Sequence, residues 1–215
     1  MYLLKILSYT SLFLLFFNSA IYCKGFASKG KAFTSFVIYL VSLFIIQSLA
    51  DVYASQGMNN HFFASYLLFI PFILLSFFFY YLLADIRSKK KNVVRYVSVV
   101  TTLGLFIQYC LHPDIYFTFN SIGLLITSCI IILYAVMYLF ELLSQKLPFH
   151  YVTVGIFIYY LSSCLIFVSA PSIASFNVEI SIFIWKINAI LFIVYQLLIL
   201  WEWKQTFYHK PTRQD

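Results

Sequence analysis

Residues 62–91 read FFASYLLFIPFILLSFFFYYLLADIRSKKK. From Phe62 the run carries no acid until Asp85 and no base until Arg87, after which Lys89, Lys90 and Lys91 follow at once. A membrane-spanning helix needs about 20 mostly apolar residues. Basic residues collect in the loops on the cytoplasmic side. The stretch therefore reads as one complete crossing with its cytoplasmic end marked.

Working outward, six more stretches have the same character: Tyr2–Tyr22, Phe33–Tyr53, Val93–Leu111, Phe119–Leu143, Tyr151–Ala170 and Val178–Trp203. Across the 215 residues 63% are hydrophobic, 21% aromatic and only 10% charged, with a mean hydropathy of +0.92. Soluble domains carry about 25% charged residues, so composition points to the membrane. The expected fold is all-α, a polytopic seven-transmembrane-helix bundle. Residues 1–204 form a single transmembrane domain, and 205–215 a short cytoplasmic tail. The short connections leave no room for a soluble domain, which excludes ATPase or kinase machinery.

Orientation follows from the loops. Lys24, Lys29 and Lys31 occupy the first, Arg87, Lys89, Lys90, Lys91 and Arg95 the third, Lys146 the fifth, and Lys204, Lys210 and Arg213 the tail. These are twelve of the fourteen basic residues, leaving only Lys5 and Lys186. The bias predicts an amino terminus outside and a carboxyl terminus inside a cytoplasmic (inner) membrane. Reading MYLLKILSYTSLFLLFFNSA as a cleaved signal peptide, with Lys5 as its charged region, would place the basic first and third loops outside, against the bias.

Four cysteines, Cys23, Cys110, Cys129 and Cys164, lack metal or CxxC spacing and read as small packing residues. A three-plus-one-plus-three arrangement, as in sugar-efflux transporters, suits the helix count, yet the first and last three spans share no motif. Pro71 is the one mid-span proline and is expected to kink its helix. The runs Phe77–Tyr81 and Trp201 with Trp203 read as interfacial anchors. The stripes Asn120, Gly123, Thr127, Tyr134, Glu141 and Gly155, Tyr159, Ser162, Ser163 read as packed helix faces. Glu141 is placed at the interface near Lys146. On the last span, Trp185, Asn188, Phe192 and Gln196 are expected to face other helices.

Polar residues inside a membrane are costly, so their placement is informative. They gather in the half remote from the basic loops: Gln47, Asp51 and Ser55 on the second span, Thr101, Gln108 and His112 on the fourth, Asn120 on the fifth, and Glu179, Lys186 and Asn188 on the seventh. Gln47, Asp51, Gln108, His112, Asn120, Lys186 and Asn188 form the candidate ligand-binding pocket. Lys186 lies about 12 Å down its helix from Val178. It either snorkels outward toward Glu179 or meets a charged partner or ligand, Asp51 foremost. A retinal Schiff base, as in microbial rhodopsins, would need an acid in mid-membrane on the third span, and that span has none before Asp85. HExxH, GxSxG and paired aspartates are missing as well. No enzymatic activity, cofactor or metal is expected.

The segments SLFIIQSLADVY, ASYLLFIPFILLSFFFYYLLADIRSKKKN, TVGIFIYYLSSCLIFV and IWKINAILFIVYQLLILWEW resemble the short seven-helix integral membrane proteins of Bacteroidota. The features that carry the likeness are Asp51 ending the second span, the basic Arg87–Lys91 loop, and Trp185 with Asn188. The resemblance brings no defined biochemical activity. Through members encoded beside two-component sensor kinases, it implies a sensory role. Two functions stay open: a sensory or accessory signalling component binding a small-molecule ligand or a partner sensor kinase, and a small-solute transporter. Expected partners are the lipid bilayer, whose anionic headgroups suit the basic loops, and no nucleic acid.

The orientation is directly testable. A cysteine introduced at Ser88, in a background without the native cysteines, is expected to resist membrane-impermeant thiol reagents in intact cells. It should react only once the membrane is opened. Labelling in intact cells overturns the orientation.

Overall fold

A bilayer offers backbone amides and carbonyls no water, so apolar stretches of this length close their hydrogen bonds internally as helices. The computed structural model describes residues 2–26, 28–118, 120–173 and 178–207, without the side chains of 167–173, 178, 179 and 181. Among the described residues there are seven α-helices: α1 Tyr2–Cys23, α2 Lys31–Ser55, α3 Phe63–Asp85, α4 Lys90–Leu111, α5 Ser121–Ser144, α6 His150–Ile173 and α7 Val178–Glu202. A 3₁₀ turn, Pro113–Phe117, joins α4 to α5, and a π-helical turn, Trp203–Phe207, follows α7. No strand occurs among the described residues. Six helices are long and apolar enough to cross a membrane, while α6 offers the shorter described stretch His150–Ile166. The chain is an all-α, multi-pass, membrane-embedded protein.

The helices lie close to the stretches expected from the sequence. The largest difference at an amino-terminal end is in α4, which begins at Lys90 rather than Val93. Hydropathy marks the residues at lipid depth, whereas the hydrogen-bonded spiral continues through polar residues beyond it. Helix α3 continues through Pro71 from Phe63 to Asp85.

Helix adjacency follows a closed ring, α1–α2–α3–α5–α6–α7 and back to α1, with α4 outside against α3 and α5. The half of the ring beside the basic loops is filled by aromatic side chains. Phe36 and Phe78 lie 5.1 Å apart, Phe78 meets Phe149 edge-on at 5.1 Å, and Tyr22 stacks on Phe33 at 5.5 Å. Phe207 closes the end, 5.1 Å from both Phe33 and Phe149. The Lys29 ammonium sits 4.8 Å from the Phe207 ring and 5.4 Å from that of Trp203, a cation–π cover over the plug. The run Phe77–Tyr81 is thus only partly an interfacial anchor. Phe78 and Phe79 are fully buried while Phe77 is half exposed, because five consecutive helical residues point all the way round the axis.

The first amides of a helix have no intrahelical partner. At α6 they are met by Glu202 from the end of α7. Its carboxylate accepts the Phe149 and Tyr151 amides at 2.7 Å each and the Thr206 hydroxyl at 2.7 Å, and it is 1% exposed. The positive end of the helix dipole favours the negative charge there. Phe149 adopts φ 64°, an uncommon conformation for a bulky residue. Glu141 ion-pairs with Lys90 at 2.9 Å and accepts from Ser88 at 3.2 Å. It therefore engages Ser88 of the α3–α4 connection and Lys90 at the start of α4, whereas the sequence placed it at the interface near Lys146. On the other side of the ring, Asn18 donates to the Gln196 backbone and side-chain oxygens at 2.8 Å each, and Tyr22 donates to the Ile199 carbonyl at 3.0 Å, joining α1 to α7.

Glu202→Gln leaves one oxygen for two amides and sets an amide donor beside the other. The expected loss is about 1.5–3 kcal/mol, the worth of a hydrogen bond to a charged group, with Glu202→Ala losing more. Thermal unfolding in detergent reads the effect. A Gln variant within about 0.5 kcal/mol of the parent would show that the carboxylate is dispensable.

Candidate ligand cavity

Small residues let helices approach closely. A Cβ on Gly155 would lie 2.8 Å from Tyr195, so the glycine lets that ring press against α6. Tyr195 stacks on Tyr159 at 5.6 Å with a 10° interplanar angle, and its hydroxyl shares a hydrogen bond with that of Tyr39 at 3.3 Å. Tyr39 and Tyr159, the two rings that Tyr195 holds, line a cavity of about 220 Å³ in the half of the ring remote from the basic loops. Five helices, α2, α3, α5, α6 and α7, contribute to its lining.

The walls are aromatic, from Tyr39, Tyr159, Tyr160, Trp185 and Phe192. Gln47, Thr127, Ser128, Ser163 and Asn188 add hydrogen-bonding groups. Ser163 donates to the Asn188 side-chain oxygen at 3.4 Å. The Thr127 hydroxyl is turned back onto the Gly123 carbonyl at 2.9 Å. Pro71 has no amide hydrogen, so the Leu67 carbonyl lacks its helical donor, and both residues line the cavity. Among the described residues no acidic or basic residue does. Such a chamber takes up apolar surface and a few hydrogen bonds but offers no counter-charge to an ion.

Of the seven residues singled out from the sequence, Gln47 and Asn188 line this cavity. Asn120 is buried and caps α5, accepting from the Gly123 amide at 2.9 Å and donating to Gln108 at 3.3 Å. Asp51 and His112 are exposed, and Lys186 is half buried. These three stand apart from the cavity lining. No ion pair joins Lys186 to Asp51. The expected snorkelling partner, Glu179, has its side chain outside the described residues. The α7 face expected to pack inward divides by depth: Gln196 and Phe192 are buried, Asn188 is half buried, and Trp185 is 41% exposed.

The sequence reading treated Tyr159, Thr127, Ser163, Trp185 and Phe192 as packing. Trp185 and Asn188 at i, i+3 give the only signal that α7 carries a chamber wall. Beside the cavity, the free thiols of Cys129 and Cys164 lie 3.9 Å apart across α5 and α6, next to the lining residues Ser128 and Ser163. At the same end of the bundle, Tyr66 and Tyr116 share a 2.8 Å hydrogen bond. That bond, with some burial, holds the Tyr116 phenol above its ordinary pKa. No protein-family profile, curated protein or solved structure matches the chain.

Since Lys186 has no acidic partner among the described residues and no place on the cavity wall, Lys186→Leu is expected to insert at least as well as the parent. Its melting in detergent should fall within about 0.5 kcal/mol of the parent value. A loss of about 3–5 kcal/mol, the cost of stranding a buried partner, would mark the lysine as paired.

Proposed function

We propose that this protein is a sensory component of the cytoplasmic membrane that holds a small, uncharged, ring-bearing molecule in its outer half, with the amino terminus outside and the basic loops inside. The observation that carries the reading is the cavity of about 220 Å³, walled by aromatic and aliphatic side chains with a few amides and hydroxyls and, among the described residues, without a carboxylate, lysine, arginine or histidine. An apolar cavity of about 150 Å³ accommodates benzene, so a single substituted ring matches the space. Placing an ion there would leave its charge desolvated with no partner. A membrane sensor kinase is the proposed recipient of the signal, through the basic loops.

Solute transport is the second reading, favoured by Pro71. Transporters bind near the midplane at interrupted helices, and this proline lies on the cavity wall.

Trp185 supplies the probe. With Trp201 and Trp203 replaced by phenylalanine, and the protein in lipid nanodiscs, phenol and benzyl alcohol are expected to change Trp185 fluorescence saturably. Benzoate should not. Asn188→Leu is expected to weaken the neutral compounds about tenfold, as the loss of one buried hydrogen bond does. Equal responses to benzyl alcohol and benzoate, or none to either neutral compound, would overturn the ligand class. Counterflow of labelled benzyl alcohol well above that of protein-free vesicles would favour transport over sensing.

A further inference from the structure

Helix α4 stands outside the ring, and among its residues only Val94 and Leu105 are buried. Between it and α3 runs a second, larger space of about 390 Å³ on the outer surface of the bundle. Ile73, Phe77, Val99 and Leu103 make it apolar, and Arg95 stands at its basic-loop end. From Arg95 to Leu103 the groove extends about 12 Å along the helix. One leaflet of a hydrocarbon core about 30 Å thick is about 15 Å deep. The groove therefore runs the depth of one leaflet, that of the basic loops.

Helical side chains lean toward the amino terminus of their own helix. In α4 this carries Arg95 out toward the headgroup level. Lys91 lies one turn nearer the end on the same face. Lys90 is engaged by Glu141, whereas neither Lys91 nor Arg95 has an acidic partner among the described residues. A guanidinium fork matches phosphate oxygens. A comparable surface groove between α5 and α6, about 300 Å³, is lined by Leu139, Phe140, Leu143 and Phe157, and among the described residues its basic-loop end carries His150 in place of a lysine or arginine. One groove thus ends in an arginine, whose fork matches a phosphate, and the other in a histidine.

We propose that the α3/α4 groove is a binding site for an anionic phospholipid, one acyl chain lying along Val99 and Leu103 and the phosphate held by Arg95 with Lys91. The proposal is independent of the ligand reading, since no cavity-lining residue takes part. An apolar slot alone would accept any lipid tail. The arginine at the headgroup end makes the slot selective for negative charge.

The test uses the full chain in mixed vesicles containing phosphatidylglycerol or phosphatidylcholine with a photoactivatable group at mid-chain, the adducts being mapped by mass spectrometry. Phosphatidylglycerol is expected to label residues 73–80 and 94–103 about fivefold more than phosphatidylcholine, the preference that one basic residue near an anionic surface gives. Labelling of the α5/α6 groove should be equal for the two lipids and serves as the folding control. Arg95→Gln is expected to bring the ratio near one, and Arg95→Lys to keep most of it. Thr102→Phe should lower labelling by both lipids in this groove alone. Equal labelling of the parent by the two lipids, a ratio unchanged in Arg95→Gln, or protein–protein adducts through α4 in place of lipid adducts would each overturn the proposal.

Discussion

The Glu202 carboxylate is the interaction on which the arrangement turns. It is 1% exposed and would be untenable in an apolar interior without donors. The donors are the first amides of α6, which would themselves be stranded without it. Each need is met by the other, and the result fixes the end of α7 against the start of α6. Phe149, one of the two residues whose amide is held, carries its ring into the aromatic plug against Phe33, Phe36 and Phe78. A helix cap and a core contact are thereby one element.

That plug divides the ring into a filled half and a hollow half. Near the basic loops, large rings reach across from α2, α3 and α6 and exclude space. Farther along, the lining residues include Ala64, Thr127, Ser128 and Ser163, whose side chains are too short to meet in the middle. Gly155 lets α6 approach Tyr195, which stacks behind the lining ring of Tyr159. Short side chains around a ring of long helices leave a space across which the walls make no contact.

The helices were legible because runs of apolar residues of this length have few other ways to close their backbone hydrogen bonds, and the basic residues fall in alternate connections. Ring order and cavity were not legible, for a physical reason. In a bilayer the lipid-facing and inward-facing surfaces are both apolar, so Phe77 on the outside and Phe78 on the inside look alike in sequence. Glu202 escaped notice because a carboxylate between Trp201 and Trp203, just before Lys204, reads as an ordinary interfacial charge. Glu141 was matched to Lys146 by nearness in sequence. The fold brings Lys90 closer, since the α3–α4 loop passes the end of α5. Polar clustering picked out Gln47 and Asn188, whereas the charged residues of that cluster, Asp51 and Lys186, stand off the chamber wall.

Helix α3 is where the two proposed sites meet. Leu67, Leu68 and Pro71 face the inner cavity, and Ile73, Ser76, Phe77 and Tyr80 line the outer groove one turn further along. Helix α4 is tied to the ring by few polar contacts, among them Ser98 to Tyr134 at 2.9 Å and Ser65 to Tyr109 at 3.1 Å. It can move relative to α3 without breaching the cavity wall, to which it contributes no residue. The missing amide hydrogen at Pro71 leaves the Leu67–Pro71 turn of α3, on the cavity wall just before the groove residues, one hydrogen bond short. With both sites occupied, a ligand that shifts this segment changes the affinity for lipid, and by linkage the lipid changes the affinity for ligand by the same factor.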